Sequence, residues 1–153
     1  MAIYLVQHGK NLPKDQDIQK GLSASGIADV QRIAQVAAGY GVKVSRIIHS
    51  GKQRALQTAE IMAAALHPEN GLQAVRGINP LDDAILCGSS LELSGDIMIV
   101  GHLPFLEKLA AYLVTGQDQK PVFQMQNGGI VCLDHYRDTP HVVVKWALMP
   151  NIQ

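Results

Sequence analysis

Two histidines and one arginine stand where they could hold and transfer a phosphoryl group. His8 follows the apolar run from Ala2 to Val6 and Gln7, and precedes Gly9. A buried strand ending on histidine delivers the imidazole to the exposed end of a sheet, and glycine lets the backbone turn away so that the ring edge stays accessible. His102 repeats the arrangement after Ile99, Val100 and Gly101, and Arg54 lies just after Ser50, Gly51, Lys52 and Gln53, where a helix opens. A neutral imidazole is nucleophilic near neutral pH and leaves readily once reprotonated. A guanidinium offers a planar fork of donors to phosphate oxygens, and amides at a helix start add the positive end of a dipole. Taken singly, each residue has an ordinary reading as a surface or hydrogen-bonded side chain. Their joint placement points to a phosphate site.

Positioning such a site requires a sheet with its strand ends aligned. Strands and helices alternate along the chain, the pattern of an α/β three-layer sandwich with a largely parallel central sheet flanked by helices. Strands are expected over 2–7, 44–49, 72–75 and 96–100, and a C-terminal antiparallel hairpin over 129–136 and 141–149. The first helix is expected over 24–40, with Ser23 as N-cap, Gly41 as stop, and Ile27, Val30, Ile33, Ala34, Ala37 and Ala38 on its buried face. The second, over 52–66, buries Leu56, Ala59, Met62 and Ala63. The third, over 103–113, tolerates Pro104 in its first turn. Residues 11–21 form a polar loop near His8, and a helical turn or two is expected before Leu93. Without repeats or a linker, residues 1–153 read as a single domain.

Thirteen basic residues balance thirteen acidic ones, which excludes a general nucleic-acid or membrane-surface binder and makes any positive patch local. The 47% apolar content excludes a disordered chain. Cys87 and Cys132 lack C-x-x-C spacing and read as two reduced thiols in a cytoplasmic protein. The apolar run at the start is too short to span a bilayer and is expected to be a core strand rather than a targeting segment. No metal-ligand spacing of histidines and no G-x-x-x-x-G-K-[ST] loop occurs.

The three fragments, Gln7-His8-Gly9, the Ser50 to Ala59 run S-G-K-Q-R-A-L-Q-T-A, and Gly101-His102-Leu103-Pro104, resemble the histidine phosphatase superfamily in order and spacing. Gly21 to Gly26, G-L-S-A-S-G, looks like the Pro-Leu-Thr-x-x-Gly segment of the short, SixA-type phosphohistidine phosphatase branch, and there is no room for large insertions. Two departures stand out. Gln7 replaces the usual motif arginine, and Gln19-Lys20-Gly21 replaces the usual Arg-Pro.

The resemblance implies a metal-independent hydrolase without a cofactor, in which His8 attacks phosphorus and carries a phosphohistidine intermediate. It implies that Gln7, Asn11, Arg54 and His102 contact the phosphoryl group, His102 as a cation with phosphate bound. It also implies a proton donor in the loop after Pro80, with Asp83 better aligned than Asp82. The expected partner is a phosphohistidine protein or a small phosphorylated substrate. Two alternatives stay open: a binding protein that recognises a phosphorylated partner without turnover, which Gln7 favours, and a small-molecule phosphoesterase.

Overall fold

The computed structural model of the chain describes residues 2–91 and 95–152. Six strands and four helices follow as β1 (Ile3–Gln7), α1 (Ala24–Gly39), β2 (Arg46–His49), α2 (Gln53–Leu66), β3 (Leu72–Ala74), α3 (Ala84–Ser90), β4 (Ile97–Gly101), α4 (Phe105–Thr115), β5 (Ile130–His135) and β6 (Val142–Leu148). They build one sheet in the order β3-β2-β4-β1-β5-β6. The four strands from β3 to β1 are parallel, while β5 and β6 pair antiparallel at the far side.

The apolar strands explain the three layers, because successive side chains point to opposite faces and both faces must be covered. Tyr4, Val6, Met98 and Val100 meet Val30, Ala34, Ala55, Ala59 and Met62 of α1 and α2. Ile3, Leu5, Ile97 and Ile99 meet Ala84 of α3 and Phe105, Leu106 and Leu109 of α4.

Several local expectations shift by a residue or two, the usual scatter at element ends. Ser23 caps α1 as expected, its Oγ accepting from Gly26 N at 3.1 Å, but Ala38 is exposed. One residue past Ala37 the helix has turned by about 100°, which carries Ala38 off the buried face. In α2 the buried stripe runs through Ala55, Thr58, Ala59, Met62 and Leu66, leaving Leu56 and Ala63 half-buried at its margins. α4 begins at Phe105, with Pro104 as its N-cap. The turn expected before Leu93 is α3; Leu93 itself lies outside the described residues.

For function the decisive feature is the carboxyl edge of three neighbouring strands. β4 lies between β2 and β1, with His49 opposite Val100 and Gln7 opposite Gly101. Ser50, His102 and His8, each the next residue after its strand, are therefore side by side. Ligands of open α/β sheets bind outside such carboxyl ends.

Candidate active site

His8 is held at its backbone and its ring. Its N–H donates to the Gly101 carbonyl at 3.0 Å, extending the β1–β4 ladder by one residue, and its carbonyl accepts from Asn127 Nδ2 at 2.9 Å. The ring Nδ1 lies 2.8 Å from the Gly9 carbonyl oxygen. A carbonyl can only accept, so the ring proton sits on Nδ1 and Nε2 keeps its lone pair. Burial pushes the His8 imidazole down to about 4; the Gly9 contact opposes this and the Arg54 charge adds to it. At neutral pH the His8 imidazole is neutral, with its proton on Nδ1 and its lone pair on Nε2.

The next residues explain how His8 and Arg54 are kept in register. Gly9 N donates to Thr58 Oγ1 at 3.0 Å, and the Thr58 hydroxyl donates to the Arg54 carbonyl at 2.8 Å. One buried threonine thus ties the turn after β1 to the first turn of α2. Gly9 has no room for a side chain: a Cβ there would stand 2.8 Å from Val30 Cγ2. At Gly26 a Cβ would fall 2.1 Å from the Lys10 carbonyl oxygen, so glycine lets α1 close onto the same turn.

His102 is only 1% exposed, and its ring centroid lies 5.0 Å from that of His8. Burial pushes its imidazole down to about 3, with His8, Arg54 and Lys52 adding smaller effects in the same direction. Its Nε2 is 2.6 Å from Ser50 Oγ, whereas its Nδ1 is buried with no hydrogen-bond partner. Arg54 is half-buried, and burial lowers its pKa; its charge acts on both imidazoles. Among the described residues no carboxylate forms an ion pair with its guanidinium, so none of them neutralises the fork.

The other expected residues are placed less simply. Gln7 ends β1 beside a cavity of about 140 Å³ that it lines with Lys10, Met125, Gln126, Asn127 and Asn151. Its Oε1 is buried without a partner. A buried orphan carbonyl costs less than a buried orphan amide nitrogen, since an acceptor is more readily left unfilled than a donor. Asn11 spends one amide donor on the Leu12 carbonyl at 2.9 Å and pairs with Leu22 in an isolated bridge. Both candidate acids have local employment: Asp83 Oδ1 caps α3 by accepting from Leu86 N at 3.0 Å, and Asp82 Oδ2 accepts from Asn79 N at 2.8 Å. They line a separate cavity with Arg76, Leu86 and Cys87.

Three contributors escaped the motif search: Ser50, Thr58 and Asn127. The first two lie inside the run that singled out Arg54, and Thr58, one turn after it on α2, was open to detection by helical spacing. Asn127 reaches His8 across 119 positions of sequence, and no local signal marks it. Among the described residues no three His, Cys, Asp or Glu side chains cluster to hold a metal ion, and no helix is long and apolar enough to cross a membrane.

Known proteins share this fold. Phosphohistidine phosphatase SixA of Escherichia coli (strain K12) is 23% identical, covering 98% of this chain and 94% of its own. The structure of the protein histidine phosphatase SixA complexed with tungstate superposes with a TM-score of 0.83 at 22% identity, over 98% of this chain and 97% of the other. A phosphoserine phosphatase of Entamoeba histolytica in complex with 3-phosphoglyceric acid has the same fold at a TM-score of 0.66 and 19% identity, over 95% of each chain. Residues 3–76, which hold both His8 and Arg54, match the histidine phosphatase superfamily (branch 1). The chain is thus similar to the histidine phosphatase superfamily over residues 3–76 and to SixA in fold over nearly its whole length.

Proposed function

We propose that this protein is a metal-independent phosphohistidine phosphatase that works through a phosphoryl group carried on His8. The observation that carries this reading is the ring of His8: Nδ1–H is occupied by the Gly9 carbonyl and burial keeps the imidazole neutral, so Nε2 offers its lone pair at the carboxyl edge of the sheet. In the first step Nε2 bonds to phosphorus as the bond to the leaving nitrogen breaks, and the leaving imidazole departs protonated. In the second, water displaces His8 and inorganic phosphate leaves. Arg54 supplies the permanent charge that the three equatorial oxygens require. Gln7 and Asn11 would add neutral donors, and Asp83 would serve only substrates whose leaving oxygen needs a proton.

A protein substrate is supported by the likeness to SixA and by the poor marking of a dedicated acid, which a phosphohistidine substrate needs least. Two free thiols support a cytoplasmic setting. Gln7 supports the rival reading, a binder of phosphorylated partners, because it removes a charge from the cradle. The deciding experiment is a hydrolysis panel of a phosphohistidine protein, a phosphoramidate and small phosphoesters, with His8→Ala as blank and a chelator arm. Turnover fastest on phosphohistidine and indifferent to chelator is expected. Activity retained in His8→Ala, or dependent on added divalent metal, refutes the proposal.

A further inference from the structure

The two acids of the loop after β3 build a surface beside the site. Asp82 Oδ2 accepts from Asn79 N at 2.8 Å while Asp82 N donates back to the Asn79 carbonyl at 3.1 Å, so residues Asn79 to Asp82 form a doubly closed turn. Leu81 stands in it, 88% exposed. Asp83 then caps α3, and α3 packs against α4 so closely at Gly88 that a Cβ there would stand 2.6 Å from Tyr112 Cδ1. That contact and buried Ala84 define the inner face of α3, while Ile85 and Leu86 stay 40% and 67% exposed. Three large apolar side chains within six residues are thus presented to water by a closed turn and a capped helix, the mark of an interaction surface rather than of scattered exposed residues.

The fold puts this surface next to the carboxyl edge that holds His8. β3, β2 and β4 are parallel, so the loop leaving β3 starts at that edge and α3 runs back from it. Buried Ile78 anchors the loop: its carbonyl oxygen lies 3.7 Å from where a Cβ on Gly101 would stand, and the Gly101 carbonyl accepts the His8 N–H. Leu81, three residues on, is at most about 11 Å from Ile78. Leu86 lies in the first turn of α3, where side chains lean toward the helix N-terminus and so toward the same edge. It lines a cavity of about 330 Å³ with Arg76, Gly77 and both acids. A protein that brings a phosphorylated side chain to His8 covers more than the phosphate: at about 800 Å² per partner its footprint is a disc of about 16 Å radius, wide enough to take in the turn at Leu81 and the start of α3.

We infer that Leu81, Ile85 and Leu86 form a docking ledge for the protein that carries the phosphohistidine, and that this partner presents apolar side chains beside its phosphorylated residue. The inference rests on the phosphohistidine phosphatase reading of the adjoining site and adds a source of selectivity to it. His8 and Arg54 act on the phosphoryl group, and the ledge selects the chain that bears it. Asp82 and Asp83, each holding a backbone N–H, are the scaffold of the ledge.

Two amphipathic peptides phosphorylated on one central histidine test this, one with leucines and the other with serines three and four residues to either side, the spacing that shares a helix face. The wild-type protein should hydrolyse the leucine peptide with a kcat/KM about 10-fold higher, carried by KM rather than kcat. That ratio is about 1.4 kcal/mol, which burial of about 55 Å² of apolar surface supplies. Leu81→Ser combined with Leu86→Ser should erase the preference and leave turnover of phosphoramidate within about twofold of wild type. Both side chains lie in water, so the fold should be kept, with circular dichroism as the check. Affinities of the two peptides for His8→Ala, read by fluorescence anisotropy, repeat the comparison without chemistry and should show the same preference. Equal kcat/KM for the two peptides, a preference that survives the double substitution, or turnover of phosphoramidate but of neither peptide overturns the inference. So does a dimer in sedimentation velocity that the double substitution dissociates, which would give the ledge to a second copy of this chain. Absence of any wild-type turnover would instead defeat the phosphatase reading, and the affinities in His8→Ala would then decide the ledge on their own.

Discussion

Acidification should destabilise this fold through the histidines of its site, well before its carboxylates titrate. Burial holds His8 at about 4 and His102 at about 3, against an ordinary 6.5. As pH falls through 6.5 the unfolded chain takes up protons on both rings while the folded chain does not, so the unfolded state binds more protons and stability drops with pH. The contribution is complete above the unfolded value and is lost progressively as pH falls toward the folded values. Each ring contributes up to about 1.4 kcal/mol per pH unit inside that window. Two rings over the interval from about pH 7.5 to pH 5 amount to about 4 kcal/mol, a large share of the roughly 5–15 kcal/mol that holds a domain together. The assay is the urea midpoint at a series of pH values between about 7.5 and 5 for the wild-type protein and for His8→Asn combined with His102→Asn. The double variant should keep only a shallow dependence, part of it from His49, whose pKa burial also lowers. Equal slopes for the two proteins would mean that the imidazoles are hydrated and titrate normally, and the tight, buried site described above would be wrong.

The remaining perturbations address single contacts. His8→Ala should abolish an acid-labile, alkali-stable phosphoryl adduct seen after brief exposure to labelled substrate; an adduct surviving the substitution places the nucleophile elsewhere. Arg54→Ala should slow turnover about 100-fold or more, as expected for a lost transition-state donor, with steady-state kinetics as the check. Thr58→Val leaves the buried Gly9 N–H without an acceptor and should cost about 1–3 kcal/mol in denaturant unfolding, together with turnover, since it also frees the turn that carries His8. Gln7→Arg should raise phosphoester turnover about 10-fold, equivalent to about 1.4 kcal/mol of added transition-state stabilisation; a drop in both binding and turnover in a folded variant would show a pocket built around glutamine.

What could be read in the sequence was what depends on neighbours along the chain. His8 and His102 are legible because a short apolar strand followed by a polar turn is a local pattern, and the layered fold because strand alternation and helical periodicity are local as well. Asp83 shows the limit of that method. An aspartate before a helix reads equally as a cap or as an acid, and here its carboxylate accepts from Leu86 N. Thr58 lay within reach of helical spacing from Arg54, whereas Ser50 and Asn127 were illegible for a different reason: their side chains are defined by partners 52 and 119 residues away. Nothing in a hydroxyl or an amide tells which distant backbone it will meet until the strand order β2-β4-β1 has been established.

That strand order also explains how a site lacking the usual motif arginine can still be coherent. Three polar ends, Ser50, His102 and His8, are packed side by side, and the two imidazoles are nearly removed from water. Charging His102 in the empty site at pH 7 would oppose a downward shift to about 3, a cost of about 5 kcal/mol, and would bury a second, unpartnered N–H at Nδ1. Arg54 is the group whose charge is permanent whatever its burial. A single fixed cation is a weak match for the dianion of a phosphoester, whose leaving oxygen also demands a proton. It is a better match for a phosphoryl group on imidazole, where the leaving group brings its own positive charge into the reaction. On this argument the neutral amide of Gln7 costs least when the substrate is a phosphohistidine, the case in which positive charge arrives on the leaving imidazole.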